Sequence, residues 1–229
     1  MARHVLACVL ALVAAAAVIS EAGAASAQDV NTTAAANDTI CPFGVPDTST
    51  YGQTITIPAG VSSIASFGFE MANVPATVDF RGEIYLWDAV NSLATGAALY
   101  ESSVTSTTGA TPQLVTFTPA GGVPVTPGQQ YVIFASTSRD HAGASGTGCW
   151  EHSSTDLYPS GEFVFLNDGG DASQWTTQSW TAYGGDLGFV VTFDAAPAIP
   201  TLTEWAMILF SLGLAGSAAV HLQRRRRVI

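Results

Sequence analysis

Apolar and polar residues alternate with a period of two through the middle of the chain, and Gly and Pro interrupt the alternation repeatedly. Thr54-Ile55-Thr56-Ile57 alternates ahead of the turn residues Pro58-Ala59-Gly60. No window of residues 51–194 shows the period of an amphipathic helix. Strands are predicted at residues 54–57, 64–69, 83–87, 114–117, 131–135, 163–166 and 187–193.

Several short strands separated by Gly and Pro turns are typical of an antiparallel β-sandwich. We therefore predict an all-β fold, a jelly-roll-like sandwich, for residues 51–194. Its core is expected to contain one face of the second predicted strand and one face of the last, namely Phe67, Phe69, Phe189, Val191 and Phe193.

The N-terminus has the pattern of a secretory signal peptide over residues 1–27. Arg3 precedes an uncharged apolar run at residues 5–19, and Ala25-Ser26-Ala27 provides a small-residue cleavage site. Cleavage there would make Gln28 the first residue of the mature chain. Residues 28–50 are mostly polar and show no period in their first half, so we expect a flexible leader before the sandwich.

The other end predicts a membrane anchor. A linker at residues 195–198 precedes a C-terminal segment whose residues 205–222 are apolar apart from small Ser and Gly and one His at the edge. As a helix, this stretch would reach about 27 Å, enough for a thin bilayer core. Four arginines follow and would stop transfer and stay in the cytoplasm, so the body would lie outside. They are Arg224, Arg225, Arg226 and Arg227.

The residues just before this stretch carry a resemblance to a known sorting signal. Residues 199–229 combine a short motif, an apolar helix and an arginine cluster in the order seen in IPTL-CTERM signals, which resemble the PEP-CTERM signals handled by exosortases. The family usually has Gly after the Trp, where this chain has Ala206. The resemblance implies an exosortase-type transpeptidase as partner, with processing near Pro200–Thr201. The motif residues are Ile199, Pro200, Thr201, Leu202, Glu204 and Trp205.

The body is also similar to the choice-of-anchor ectodomains of bacterial surface proteins. The phrases that carry this similarity lie at residues 82–88, 99–102, 125–132 and 186–189. The resemblance implies an ectodomain with no known catalytic residues to transfer onto this chain.

Charge narrows the classes of function. The chain has no lysine, which excludes a P-loop lysine, a Schiff-base lysine and a kinase-type ATP site. Residues 28–198 contain only Arg81 and Arg139 against sixteen Asp and Glu, a net charge of −14. Such a surface repels nucleic acid and anionic lipid, so no nucleic-acid partner is expected.

Two cysteines remain after removal of the signal peptide, and in an oxidising compartment we expect Cys41 and Cys149 to form a disulfide. The alternative is a pair of buried thiols. The sequence contains neither a Cys-x-x-Cys nor a His-x-x-x-His spacing, so we expect no zinc site.

Catalytic motifs are missing from the sequence. His141 and His152 lie in a Gly/Ser-rich region at residues 136–154 and are expected to be solvated. Neither Gly-x-Ser-x-Gly nor His-Glu-x-x-His occurs, so we predict that the protein is not an enzyme. A triad assembled only in space stays open.

Two sets of residues are candidates for binding. Asn167, Asp168 and Asp171 offer oxygen ligands for calcium on a Gly-rich loop, although a plain turn between strands is the favoured interpretation. No other cofactor is expected. Three tryptophans in polar surroundings would stack on sugar rings if exposed, or else cover the rim of the core. They are Trp150, Trp175 and Trp180.

The leading hypothesis is therefore an exported, membrane-anchored bacterial surface protein, processed by an exosortase-type system, with a non-enzymatic β-sandwich ectodomain. The first alternative is a carbohydrate-binding module that holds exopolysaccharide through the three tryptophans. The second alternative is a secreted hydrolase.

Overall fold

The computed structural model describes residues 29–44, 47–109, 112–140, 146–197 and 202–226. The predicted signal peptide, His141, residues 199–201 and Arg227 lie outside these ranges. The chain divides into two compact units, with the boundary between Ala196 and Pro197.

The first unit is built of antiparallel strands, which confirms the all-β prediction. Short 3₁₀ helices span Thr33–Ala35, Ser138–Asp140 and Ala172–Thr176. The strands are β1 Val30–Asn31, β2 Asp38–Gly44, β3 Thr50–Thr56, β4 Val61–Asp88, β5 Leu93–Glu101, β6 Thr105–Gly109, β7 Gln113–Phe117, β8 Val123–Pro124, β9 Gln130–Ser136, β10 Thr147–Ser153, β11 Phe163–Leu166, β12 Thr181–Ala182, β13 Asp186–Leu187 and β14 Phe189–Ala195.

Strand β4 belongs to both sheets of this sandwich-like fold. Its first part pairs with β14 and β7, where Phe67 lies opposite Val191 and Phe117. Its last part pairs with β9 and β5, where Ile84 lies opposite Ile133. We call the first sheet sheet A; it also holds β1, β2, β8, β10 and β13. Sheet B runs β12-β11-β3-β9-β4-β5, and β6 pairs with the middle of β4.

The inner core lies where alternation turns apolar side chains inward from both sheets, and it contains all five predicted core residues. Trp150 stands at its aromatic centre, with ring centroids 4.8 Å from those of Phe43 and Phe69. Burying one such large apolar side chain stabilises a fold by about 1.5–3 kcal/mol. This core therefore accounts for the packing of the two sheets.

A second cluster, the outer core, covers the opposite face of sheet B. Tyr85 and Trp87 of β4 and Phe134 of β9 contribute from the sheet, and Trp175 and Trp180 cover them from the segment after β11. Trp180 approaches the backbone of β3 at Gly52, where an added Cβ would lie 3.2 Å from the indole ring. The alternation predicted only one buried face for the sheets, so this second core is an addition to the expected sandwich.

The prediction of a flexible leader at residues 28–50 is wrong for most of that range. Val30 pairs with Val191 of β14, and β2 pairs with β10. Thr32 Oγ1 donates to Leu187 O at 2.7 Å and accepts from Phe189 N at 2.9 Å. These contacts use backbone groups and one hydroxyl, so they need no apolar alternation to form.

The predicted disulfide is confirmed. Cys41 of β2 and Cys149 of β10 are bonded, with their Cα atoms 4.5 Å apart. The bridge spans a sequence separation of 108 residues, for which the chain-entropy model gives an upper figure of about 4–5 kcal/mol. It therefore links β2 covalently to β10 within sheet A.

The second unit contains one helix, α1, at Leu202–Arg226. Side chains at residues 205–221 are exposed. Judged on the described residues, no helix has the length and apolar character needed to cross a membrane.

Candidate functional site

Helix α1 carries the part of the sorting motif that the structure describes. Leu202, Glu204 and Trp205 lie in its first turn, and Trp205 is half exposed. Arg224, Arg225 and Arg226 lie in its last turn. Positive charge at a helix C-terminus is favourable because the last carbonyls carry partial negative charge. Ile199, Pro200, Thr201 and Arg227 lie outside the described residues.

Comparison with known proteins identifies this segment. Residues 197–227 match the family model of the IPTL-CTERM motif. The C-terminal segment is an IPTL-CTERM sorting signal. It marks the chain as an exported protein with a C-terminal anchor and as a substrate of an exosortase-type enzyme. No curated protein and no solved structure matches the chain.

The three tryptophans proposed for glycan stacking are buried, which argues against that role. Trp150, Trp175 and Trp180 are 1%, 1% and 3% exposed. Trp150 belongs to the inner core, and the other two pack on Phe134 in the outer core. The sequence left exposure and burial at the rim of the core both open, and the indole rings turn inward and leave no open face for a sugar ring.

The predicted calcium loop is a structural turn. Asp168 is buried, and its Oδ2 accepts from Trp175 Nε1 at 2.5 Å, Ser138 Oγ at 2.6 Å and Thr50 Oγ1 at 3.2 Å. Asp168 Oδ1 is buried without a hydrogen-bond partner. Among the described residues, no group of three or more His, Cys, Asp or Glu side chains is placed to hold a metal ion.

The other two members of that loop serve different purposes. Asn167 is exposed, and Asp171 caps the 3₁₀ helix Ala172–Thr176 by accepting from Ser173 N and Oγ. The hydrogen bond from the Ser173 side chain lowers the pKa of Asp171. Both aspartates of the loop therefore accept hydrogen bonds from groups of the protein.

His152 is buried, whereas the sequence predicts a solvated side chain. Its Nε2 lies 3.1 Å from Gly184 O, and its ring packs against Phe163 and Tyr183. The hydrogen-bond partner that the structure shows for the ring is thus a backbone carbonyl and not a serine hydroxyl or a carboxylate. The histidine therefore has the environment of a core residue.

The body's two arginines meet in one network on the outer face of sheet B. Arg139 Nε donates to the buried Glu83 Oε1 at 3.0 Å, and the Arg139 guanidinium lies 5.0 Å from the Trp175 ring centroid. Arg81 binds Asp140 through two nitrogens at 2.8 and 3.1 Å, and it binds Glu101 at 3.0 Å. Both cations of the body are thus engaged by its own carboxylates.

Glu83 is the most perturbed carboxyl of this network. Burial raises its pKa to about 7, although the neighbouring Arg139 acts in the opposite direction. Its second oxygen, Oε2, is buried without a partner. The sequence carried one usable signal for this network, since a body with only two arginines must place each of them among many acids.

Proposed function

We propose that this chain is a bacterial surface protein whose sorting signal is processed by an exosortase-type transpeptidase, and whose β-sandwich ectodomain is non-enzymatic. The match of residues 197–227 to the IPTL-CTERM motif carries the proposal. Export would begin with the signal peptide at residues 1–27 and leave Gln28 as the mature N-terminus. The resemblance to choice-of-anchor ectodomains agrees with this function and stays a prediction.

The anchor is proposed to be a single membrane pass. Residues 205–222 contain no Asp, Glu, Lys or Arg, and four arginines follow within the next five residues. Positive charge is retained on the cytoplasmic side, so the ectodomain would stand outside the inner membrane until processing. After processing, the ectodomain would pass to the cell surface.

The short motif would be read just before the membrane segment. Pro200 has no backbone N–H and holds φ near −65°, and it also disfavours a helical conformation at Ile199. An extended segment ahead of a helix presents its backbone to a transpeptidase.

Two environments support a non-enzymatic ectodomain. His152 contacts a backbone carbonyl and two aromatic rings, and Ser138 bonds to Asp168 without an intervening imidazole. A serine nucleophile needs an adjacent base within hydrogen-bond reach. These surroundings favour a binding or structural role over hydrolysis.

The experiment compares processing of the wild type with a variant carrying Pro200→Ala and Thr201→Ala, in a host with the cognate exosortase. We expect the variant to be exported but to retain its C-terminal helix, because a plain anchor needs only apolar length whereas a processing enzyme needs the motif. Intact-mass measurement of the purified chains reads both termini. A variant with Pro124→Ala and Thr126→Ala, at exposed ectodomain positions, is the matched control and should be processed normally.

Identical masses for wild type and motif variant, both retaining the arginines, would show that the segment is an unprocessed anchor. Retention of Met1 on the exported chain would refute the proposed signal peptide.

A further inference from the structure

A cleft opens at one end of the outer face of sheet B, beside the outer core. Thr56 of β3 pairs with Gln130 of β9, and Trp87 follows Leu86, which pairs with Tyr131. Thr56, Trp87 and Gln130 form one side of the cleft, and Ser160 and the loop before it form the other. The cleft has a volume of about 520 Å³. Pockets of about 300–1,000 Å³ are typical of small-ligand sites.

The loop that forms the far wall is held by hydrogen bonds to Asp186 and Thr56. Asp186 is fully buried, and its Oδ2 accepts from Leu157 N at 2.7 Å and Tyr158 N at 2.9 Å. Tyr158 Oη donates to Thr56 O at 3.0 Å, and Thr56 Oγ1 donates to Ser160 O at 2.8 Å. A wall held in this way is preorganised, which reduces the entropy lost on binding.

The groups facing the cleft are mainly acceptors. The exposed carboxylates of Asp156 and Glu162 line it, and neither makes a side-chain hydrogen bond or ion pair among the described residues. Gln130 Nε2 uses one of its two N–H groups to donate to Thr56 Oγ1 at 3.3 Å, so the Gln130 amide offers both a donor and an acceptor. The two carboxylates accept hydrogen bonds only, so they favour a ligand that donates hydrogen bonds to this cleft.

Among the residues that the structure describes, no cation lines the cleft to hold an anion there. The chain has no lysine, and Arg81 and Arg139 are paired with Asp140, Glu101 and Glu83 in the network described above. Carboxylates at the cleft repel phosphates, sulfates and uronic acids. Trp87 is only 5% exposed, so it contributes a small apolar patch to the cleft and not an open ring face on which a sugar could stack.

We propose that this cleft binds an uncharged, hydroxyl-rich oligosaccharide. Sugar hydroxyls donate to carboxylates and amide oxygens, and the C–H faces of a sugar suit an apolar patch. The site is separate from the tryptophans first considered for glycan binding. It concerns what the ectodomain holds and does not depend on how the C-terminus is processed.

The test is calorimetric titration of the full-length chain, kept soluble in a detergent without a sugar headgroup. The probes are cellohexaose, laminarihexaose, mannohexaose and maltohexaose, with glucosamine hexamer as a cationic arm and oligogalacturonate as an anionic arm. We expect one or more neutral hexasaccharides to bind with a Kd of about 1 mM or tighter. Their affinity should not change between low and high salt, because no charge is neutralised.

The variant Asp156→Asn with Glu162→Gln should weaken this binding about tenfold or more, since hydrogen bonds to charged groups are the stronger ones. Glu70→Gln, on β4 in sheet A, removes a charge away from the cleft and should bind as the wild type does. Circular dichroism verifies folding of each variant.

Three results would overturn the proposal: no heat with any neutral probe, binding of the glucosamine hexamer alone, or undiminished binding by the double variant. None of them alters the intact masses that test C-terminal processing, so the two proposals fail separately.

Discussion

The inner and outer cores bury tryptophan in opposite ways. In the inner core, Trp150 is surrounded by aromatic rings, and its indole Nε1 has no hydrogen-bond partner. In the outer core, Trp175 Nε1 donates to Asp168, and Trp180 Nε1 donates to Trp175 O at 3.0 Å. The inner core is stabilised by side-chain packing and buried apolar area, and the outer core is stabilised in addition by a connected set of hydrogen bonds.

The difference follows from what covers each face. The inner core lies between two sheets, so backbone pairing already positions its side chains. The outer core is covered by a segment with only a short 3₁₀ helix, which needs its own attachments. Trp180 N donates to Ser92 O at 2.6 Å, and Ser179 Oγ donates to Asn91 O at 2.7 Å. A loop cover without such bonds would leave buried backbone groups unsatisfied.

The largest expected effect comes from Trp175→Phe compared with Trp150→Phe. Each change leaves a small cavity, which costs about 1–2 kcal/mol. Trp175→Phe also removes a donor from the buried Asp168 carboxylate, for a total of about 3–4 kcal/mol. Trp150→Phe removes an N–H that is buried without a partner, and relief of that penalty of about 1–3 kcal/mol offsets the cavity, so its net cost should be at most about 1 kcal/mol.

Urea unfolding of the two variants measures this difference in free energy of unfolding. Equal costs would show that the hydrogen bond to Asp168 adds nothing, and the contrast between the two cores would then be one of geometry alone.

The inner core could be predicted from the sequence and the outer core could not. Phe67, Phe69 and Phe189 sit in segments with clear alternation, so their burial was predicted. Tyr85 and Trp87 alternate with Ile84 and Leu86, so both faces of that strand are apolar. The pattern does not indicate which part of the chain covers the face that carries Tyr85 and Trp87. The cover is a polar segment distant along the chain, and only the tertiary fold brings it there.

Three further features differ in how far the sequence predicts them. Strand β4 was predicted as separate strands at residues 64–69 and 83–87, because the residues between them lack the period; pairing with β6 continues the strand. The IPTL-CTERM signal was predictable because an enzyme reads it as a linear motif, independent of folding. The oligosaccharide cleft was not, since its residues come from several strands and a loop.

The second prediction concerns Glu83, which borders the outer core. In the folded protein its pKa is about 7 because it is buried, while in the unfolded chain it is near the ordinary 4.5. Between pH 4.5 and 7, Glu83 is deprotonated in the unfolded chain but still protonated in the folded protein. The free energy of unfolding of the wild type therefore falls as pH rises from about 4.5 to about 7. Glu83→Gln removes that dependence. Relative to wild type, the variant should gain about 3 kcal/mol across this window.

Unfolding curves recorded at several pH values between these limits measure the gain. Glu101→Gln is the matched control, because Glu101 also contacts Arg139 but from a partly exposed position where solvent screens the charge. Parallel pH profiles for wild type and Glu83→Gln would mean that the Arg139 ion pair compensates fully for burial.

The smallest expected effect compares two glycines, one on each face of sheet B. A Cβ added at Gly82 would lie 2.5 Å from ring atoms of Phe117, which the opposite sheet holds inside the inner core. A Cβ added at Gly52 would meet Phe134 Cβ at 2.9 Å and the Trp180 ring at 3.2 Å. Overpacking costs about 1–3 kcal/mol, and each Ala recovers about 0.4–1 kcal/mol by restricting the unfolded chain. A Cβ at Gly82 would lie 2.5–2.6 Å from three ring atoms of Phe117, whereas the shortest contact at Gly52 is 2.9 Å, so Gly82→Ala should cost about 2 kcal/mol and Gly52→Ala about 1 kcal/mol. Thermal unfolding ranks the two variants. A larger cost at Gly52 would mean that β9 and the covering loop yield less around Gly52 than Phe117 yields around Gly82, and the outer core would then be the less adaptable of the two.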